Sequence, residues 1–463
     1  MKSCRLLSLP AAILLATGCT TIQVPDANHP LPAGWKNAGG FPVASASRDL
    51  SRWWTRFEDP TLNRLISTAI QDSPDIATAA ARIRESRANF DAQRSTLFPN
   101  LSGSVGSGLD AASRDSVSTS SNSFSAGLDA SWEIDLFGRL RSQLQTAASN
   151  LGATEENYHS VQAALASEMA IAYVSLRSAE TRLDVLRASL TSREETYNLA
   201  KVRLQAGTID NLEADQALTS LQQARAAIPS LEQSVSQTRN LINRLAGKNP
   251  GTLDGMLGSG RRGIPIPQRS LAVGIPADTI RQRPDVRVAG YQLLAAAASV
   301  RSAEAQRFPS LRLTGSLGLG TLTSGKLFNP ETATAGLAAG LTSPIFDAGR
   351  IKADIAASKA FEEQTVQTYR SAIITALSEV EDALIACRRT AERLDTLRLA
   401  EKSAAAADQL SRQRYEAGVT DILTVLDSQR TLLGIQESIV SVQSDRTIAY
   451  IQLYKALGGG WSK

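Results

Sequence analysis

The chain repeats itself at a spacing of 210 to 211 residues, and this duplication constrains its fold more than any other feature. Pro74-Asp75 returns as Pro284-Asp285 and Phe98-Pro99 as Phe308-Pro309, each 210 residues on (284−74, 309−99). Gly138-Arg139 returns as Gly349-Arg350, Ala206-Gly207 as Ala417-Gly418 and Gly247 as Gly458, each 211 on. The one-residue slip falls between Pro99 and Gly138, where a loop absorbs it. A unit of this length present twice is a duplicated architecture, so one half checks the reading of the other. Both halves read helix, strand, strand, very long helix, helix.

Residues 1–18 read as a signal peptide. Lys2 and Arg5 charge its start, Leu6 to Ala16 form an apolar run too short to span a bilayer, and Ala16-Thr17-Gly18 precede Cys19. A cysteine at that point resembles a bacterial lipobox, with Cys19 lipidated as the new N-terminus; an ordinary secretory signal is the alternative. Ala16 departs from the usual leucine, although Leu15 is adjacent. Thr20 after the cysteine favours, by resemblance to bacterial lipoproteins, the outer membrane. One lipid leaves the main membrane engagement to be found elsewhere. Cys4 leaves with the signal, so Cys387 is the one thiol left and a disulfide framework is excluded. The net charge of +4 loses Lys2 and Arg5, and both signs are interleaved along the rest, which gives no reason to expect a nucleic-acid partner.

No later stretch is apolar enough for a transmembrane helix, but the strands alternate. From Phe124 to Ile134 one face carries Phe124, Ala126, Leu128, Ala130, Trp132 and Ile134, the other Ser125, Gly127, Asp129, Ser131 and Glu133. Leu311, Leu313, Leu317 and Leu319 alternate with Arg312, Thr314, Ser316 and Gly318, and Leu101 to Leu109 and Ala335 to Ile345 repeat the pattern more weakly. Strands of about 9–11 residues with one apolar and one small polar face suit a membrane β-barrel with a wet lumen. A soluble sandwich is the alternative. Phe98, Trp132, Phe308 and Phe346 stand at the strand ends that join the helices, where an interfacial aromatic girdle belongs. Asp110 to Asn122 and Thr321 to Thr332 read as outward-facing loops. Four strands cannot close a barrel, and an open sheet cannot stand in lipid, so the chain must oligomerise. A dimer gives eight strands and a filled interior, a trimer twelve and a pore.

From Gly138 to Gly207 there is no proline, and Leu176, Leu183, Leu190, Tyr197 and Leu204 recur every seventh residue, with Ala172, Ala179, Leu186 and Ala200 between. That is a coiled-coil seam about 100 Å long if unbroken. Ile373, Val380, Cys387 and Leu394 keep the same period, which makes Cys387 a seam residue and not a redox sensor. Gly207 and Gly418 mark the far ends, after which shorter helices return.

The reading divides the chain into a signal (1–18), a lipidated arm (19–58), a first repeat (59–247), a linker (248–273), a second repeat (274–459) and a C-terminal end (460–463). Strands are expected near 99–109, 123–134, 309–320 and 334–345, long helices over 138–206 and 349–417, and return helices over 210–246 and 421–457. The arm should lie along the tube and the linker should wrap it as an equatorial belt.

These residues carry a family resemblance. Trp54-Thr-Arg-Phe57-Glu-Asp59-Pro60, Pro74-Asp75-Ile76, Phe137-Gly138-Arg139, Arg283-Pro284-Asp285-Val286-Arg287, Phe346-Asp347-Ala348-Gly349-Arg350 and Tyr454-Lys-Ala-Leu-Gly458-Gly-Gly-Trp461 stand in the order found in TolC-like outer-membrane efflux channels. The chain resembles the lipidated, NodT-type branch that serves resistance-nodulation-division (RND) pumps; Gly290, where relatives usually carry glutamate, departs from it. The resemblance implies a mainly α-helical fold: a long helical barrel continuous with a β-barrel of four strands per protomer, twelve in a homotrimer. It implies an outer-membrane channel extending into the periplasm, for passive exit of antibiotics or other toxic compounds. Its partners would be a periplasmic adaptor, an inner-membrane RND transporter and outer-membrane lipid. By the same resemblance Tyr415, Leu423, Asp427 and Arg430 narrow the periplasmic end. Leu423, Asp427 and Arg430 share one helical face, which lets Asp427 and Arg430 latch it; Thr420 and Thr424 stand where some relatives carry charges. The tips Gln205, Ala206, Gly207, Thr208 and Glu416, Ala417, Gly418, Val419 would face the adaptor. A related channel for metal efflux or type I protein secretion, and a scaffold without a pore, are the alternatives.

Catalysis finds no support. His29 and His159 stand far apart with no zinc spacing, and no phosphate loop, nucleophile elbow or His-Glu-x-x-His motif occurs. Gly318-Leu-Gly320 falls in a strand, and Glu194-Glu195 and Glu362-Glu363 are solvated helix neighbours. Neither a catalytic residue nor a metal or cofactor is expected beyond the lipid on Cys19.

Overall fold

The computed structural model describes residues 25–27, 29–39, 50–114, 117–258, 263–266 and 276–461, so Cys19 lies outside the described residues. The first repeat runs through α1 (Pro60–Asp72), α2 (Pro74–Ser95), β1 (Asn100–Arg114), β2 (Val117–Ile134), α3 (Arg139–Gln205) and α4 (Asn211–Leu245). The short helix α5 (Asp254–Gly258) lies in the linker. The second repeat holds α6 (Pro276–Gln282), α7 (Pro284–Ala305), β3 (Ser310–Thr321), β4 (Ala333–Thr342), α8 (Arg350–Glu416) and α9 (Ile422–Ala456). The two long helices have 67 residues each and the two return helices 35 each, so the duplication is kept to the residue.

Four helices start at a capping side chain. Asp59 accepts from the Thr61 and Leu62 N–H groups to open α1, and Ser73 from Asp75 N–H to open α2. Asp210 and Asp421, again 211 apart, cap α4 and α9. The long helices end identically. Gly207 and Gly418 take φ of 71° and 74°, and the following N–H groups of Thr208 and Val419 return to the Arg203 and Arg414 carbonyls at 3.0 and 2.9 Å.

The return helices abut the short ones end to end. Gly247, past the end of α4, lies so close to the start of α2 that a Cβ there would meet the Asp72 carbonyl oxygen at 2.4 Å. Past α9, Gly458 sits against Gln282 and Arg283 in the same manner, and Arg283 donates to the Ala456 carbonyl at 3.0 Å. In each half a long helix thus lies beside a composite of two shorter ones.

The strands form one antiparallel sheet in the order β1-β2-β3-β4. The helices attached to them follow suit: α2 packs on α3, α3 on α7 and α7 on α8. The β1–β2 hairpin corrects the expected loop over Asp110 to Asn122. Pairing continues to Arg114 opposite Val117, well past Phe124, the last β2 residue paired to β3. The sequence there is Ser-rich and loses its alternation, but backbone pairing does not need it. β4 stops at Thr342, short of the expected Ile345, before a turn with Ala348 at φ 53°.

The main core lies where α1, α3, α8 and α9 meet. Trp53 stacks on Tyr454 at 5.4 Å, Trp54 and Phe57 meet Trp53 edge-on, and Leu62, Leu65, Leu176 and Cys387 are buried around them. Each such leucine contributes about 1.5–3 kcal/mol. The Tyr173 hydroxyl donates to Asp59 at 2.8 Å, and the buried Arg177 guanidinium lies over the Tyr173 ring and donates to Glu180 and to the Leu257 carbonyl. Of the expected seam, Leu176, Leu183, Ile373, Val380, Cys387 and Leu394 are buried, while Leu190, Tyr197 and Leu204 are only half-buried.

Candidate functional site

The register of the sheet gathers its apolar side chains on one face. Leu128 lies opposite Leu317, Ile134 opposite Leu311, and Leu311 opposite Leu341. Among the described residues nothing covers this face: Val105 is 85% and Leu337 89% exposed. The other face carries Ser102, Ser104, Asp129, Ser131, Thr314 and Ser316. From Ile134 to Phe124 the apolar band spans eleven residues, about 34 Å along the strand and about 25 Å tall at a tilt near 40°. That is the height of a bilayer's hydrocarbon band on a β-barrel. Among the described residues no helix is long and apolar enough to cross a membrane, and no group of His, Cys, Asp and Glu could hold a metal ion.

Four aromatic residues, Phe98, Trp132, Phe308 and Phe346, stand where strands become helices. Phe98 and Phe308 are exposed, Phe346 is 90% exposed, and Trp132 is half-buried with its indole N–H donating to the Leu97 carbonyl at 2.9 Å. Phe137 stacks on Phe308 at 4.7 Å. Two carboxylates start the long helices, and sequence reading missed both. Asp135 accepts from the Leu140 and Arg141 N–H groups, and Asp347 from Gly349 and Ile351. The Ile351 bond, with that of Gly349 and the Arg350 charge, holds the Asp347 carboxyl below its usual range. Their spacing of 212 (347−135) departs from the repeat by one residue, enough to hide the equivalence. On the polar face Glu133 contacts Arg139 at 2.6 Å and Arg312 at 3.8 Å.

At the opposite end the two hairpin tips, Gln205 to Thr208 and Glu416 to Val419, present exposed backbone turns. Leu423 is 53% exposed, and Asp427 and Arg430 form a solvent-exposed pair at 3.8 Å. Leu423 and Asp427 share one groove between α8 and α9 with Ala404, Ala407 and Ser411. Tyr415 stands apart from them: it is buried in a small core with Ala200, Ala217, Ile422 and Val425.

Just above the tips lies a buried polar network that sequence reading missed. Gln429 donates to Ser192 at 3.1 Å and Thr196 at 2.9 Å, Arg412 pairs with Asp408 and reaches Ser192, and Ser411 meets Ser428 at 2.7 Å. These bonds tie α9 and α8 to α3. Arg193, buried beside them, donates to the Ser220 carbonyl on α4, and burial together with the nearby Arg430 charge lowers its pKa.

The described arm crosses α8. Glu381 accepts from the Lys36 N–H at 2.7 Å and from the Asn37 N–H and Nδ2 at 3.1 and 2.7 Å, while Trp35 is buried. Farther N-terminal, the Asp26 carbonyl accepts from Arg370, and Ala27 is buried with Leu293 and Val366.

Comparison with known proteins adds four findings. The sequence pattern of the outer membrane efflux protein family matches residues 65–248 and 275–459, one stretch in each repeat. The chain is 34% identical over 472 residues to the solvent efflux pump outer membrane protein SrpC of Pseudomonas putida, covering 98% of both. It is 33% identical over 475 residues to the pyoverdine export outer membrane protein OpmQ of Pseudomonas aeruginosa, covering 98% of this chain and 97% of that one. In three dimensions it is similar to the outer-membrane channel OprN, with a TM-score of 0.87 at 28% identity, over 95% of this chain and 100% of that one.

Proposed function

The chain belongs to the outer membrane efflux protein family, and from that premise we propose that three copies close its sheets into a twelve-stranded barrel and its helices into a continuous tube. The protein is an outer-membrane channel of an efflux pump, a conduit and not an enzyme. The observation that carries the assembly is its pair of free edges. Among the described residues β1 and β4 each have an unpaired outer edge, which hydrocarbon does not tolerate. The outer side of α8 is likewise uncovered: Ile374, Ile385, Leu399 and Leu410 stand exposed there, 11, 14 and 11 residues apart and within about 40° on the helix. Setting β4 and α8 of one copy against β1 and α2 of the next makes a head-to-tail contact, and such contacts close into rings. Eight strands leave a filled interior, whereas twelve strands leave a passage of about 12 Å backbone radius.

In this reading the tube crosses the periplasm, and its tips, Gln205 to Thr208 and Glu416 to Val419, meet a periplasmic adaptor that joins it to an inner-membrane RND transporter. Leu423, Asp427 and Arg430 narrow the aperture, with Tyr415 supporting them from the hairpin core. Phe98, Trp132, Phe308 and Phe346 lie at the inner membrane boundary. The lipid sits on Cys19. Its anchoring is supported by the course of the arm, which lies at Glu381 with Asn37 and at Arg370, about 16 Å nearer the sheet, with Asp26. Relatives at nearly equal identity are named for solvent efflux and for pyoverdine export, so cargo choice belongs mainly to the transporter. Electron microscopy of the detergent-purified protein tests the assembly. A three-fold tube well over 100 Å long is expected, and compact monomers would overturn the closure argument.

A further inference from the structure

Within the four-stranded part of the sheet the polar face carries three charged residues, Asp129, Glu133 and Arg312, among Ser, Thr, Gly, Ala and Asn. Glu133 is shared by two arginines, Arg139 closely and Arg312 at 3.8 Å. Neighbouring charges are matched: Arg141 pairs with Asp135 and Arg350 with Asp354, and Asp347 accepts the first N–H groups of α8. Arg139, Arg141, Arg312 and Arg350 are thus matched in number by Glu133, Asp135, Asp347 and Asp354, but they are not equally neutralised, since Glu133 is held closely by Arg139. Arg312 is left with the longer contact and a side chain 61% exposed, so its charge is the least neutralised on the polar face. Asp129 lies four residues outward from Glu133 on β2, and its cross-strand partners, Ser102 and Ser316, are neutral.

We infer that Arg312 and Asp129 are the charge-selective element of the outer channel, a role that rests on the trimeric barrel proposed above. Three copies set a cationic ring at the inner mouth of the barrel and an anionic ring about 10 Å farther out. The bore is narrow enough for wall charges to act across much of it, since screening takes about 8 Å at physiological salt. A solute carrying charges of one sign meets one attracting and one repelling ring. A neutral or amphoteric solute meets no net barrier. The barrel thus favours uncharged and amphoteric small molecules and disfavours multiply charged ions of either sign, most strongly at low ionic strength.

A thiol reporter tests this independently of the periplasmic aperture. Ser131→Cys places a thiol on the polar face between Asp129 and Glu133, opposite Thr314, while Cys387 stays buried and silent. The rates of reaction with an anionic (sulfonate) and a cationic (trimethylammonium) methanethiosulfonate, added from outside, give a ratio. In 10 mM salt Arg312→Gln should lower the anionic-to-cationic ratio and Asp129→Asn raise it, each about fivefold, with both shifts fading in 1 M salt. Arg312→Lys should keep the original ratio. Should Arg312→Gln fail to assemble, the opposite shift from Asp129→Asn still decides. A thiol reached by both reagents at a ratio that neither substitution moves overturns the charge element and leaves the barrel standing. A thiol that neither reagent reaches in the assembled protein overturns the barrel and the charge element together.

Discussion

Arg203 lies over the ring of Tyr415, its guanidinium carbon 4.7 Å from the ring centroid, and donates to the Tyr415 carbonyl at 2.7 Å. The contact joins the last turn of one long helix to the last turn of the other, so the two hairpin tips form one packed unit. It also brings a second donor to a carbonyl in the last turn of α8, which already accepts from the Gly418 N–H at 2.9 Å, at a helix end where a cation is favoured.

Losing this contact should loosen both tips together. Arg203→Ala removes a cation–π contact and a charge-assisted hydrogen bond, about 2–4 kcal/mol locally. Tyr415→Phe keeps the ring and the carbonyl and should be nearly neutral. Hydrogen exchange at the Gly418 and Val419 amides reads the difference; equal protection in both variants would show that the stack does not hold the tip.

The Asp427–Arg430 pair is predicted to matter for the aperture and not for the fold. Both side chains are more than three-quarters exposed, and their separation of 3.8 Å is that of a surface ion pair worth about 0–1 kcal/mol. Asp427→Ala with Arg430→Ala should leave the thermal midpoint within about 2 °C while raising single-channel conductance. Unchanged conductance in the double variant would remove both residues from the aperture.

Much of this was legible in the sequence, and the failures have physical causes. The offset of 211 residues located both glycine tips and the seven-residue period the buried Cys387, because backbone geometry at a helix end and packing at a seam each demand particular residue types. Alternation found β2 from Phe124 onward, where lipid requires one apolar face. It missed the stretch from Val117 to Ser123, where pairing continues without that demand. Gln429, Asp408 and Arg412 were missed because no periodic signal marks a polar residue whose burial depends on partners from another helix. For Tyr415 the resemblance supplied a position near the aperture but not the direction of its ring, which depends on Arg203 and the α3–α9 packing.

Alkaline pH should destabilise the main core. Burial, the largest influence, pushes the Tyr173 phenol up to about 12 from 10.0, and likewise the Cys387 thiol to about 12 from 9.0. Both groups stay protonated in the fold while an unfolded chain ionises them. Their stabilisation is complete below the unfolded values and is lost as pH rises toward 12. Thermal midpoints should fall between pH 9 and 12, and Tyr173→Phe with Cys387→Ala should flatten that fall. An equally steep fall in the double variant would place the alkaline sensitivity elsewhere.

Glycines with the same backbone angle should differ sharply in what they tolerate. Gly207 and Gly247 take φ of 71° and 67°, so alanine costs about 1–2 kcal/mol of conformational strain at either. At Gly207 nothing lies within 4 Å of the added Cβ, and strain is the whole effect. At Gly247 the Cβ meets the Asp72 carbonyl oxygen at 2.4 Å and Pro74 Cδ at 2.9 Å, so α2 must move away from the end of α4. That movement breaks the composite helix lying beside α3 and strains the Lys248–Asp72 ion pair. Gly247→Ala should therefore lower the thermal midpoint of the detergent-solubilised protein several times more than Gly207→Ala. Equal shifts would mean that the end-to-end junction gives way freely, and the two short helices of each half would then not act as one track along the tube.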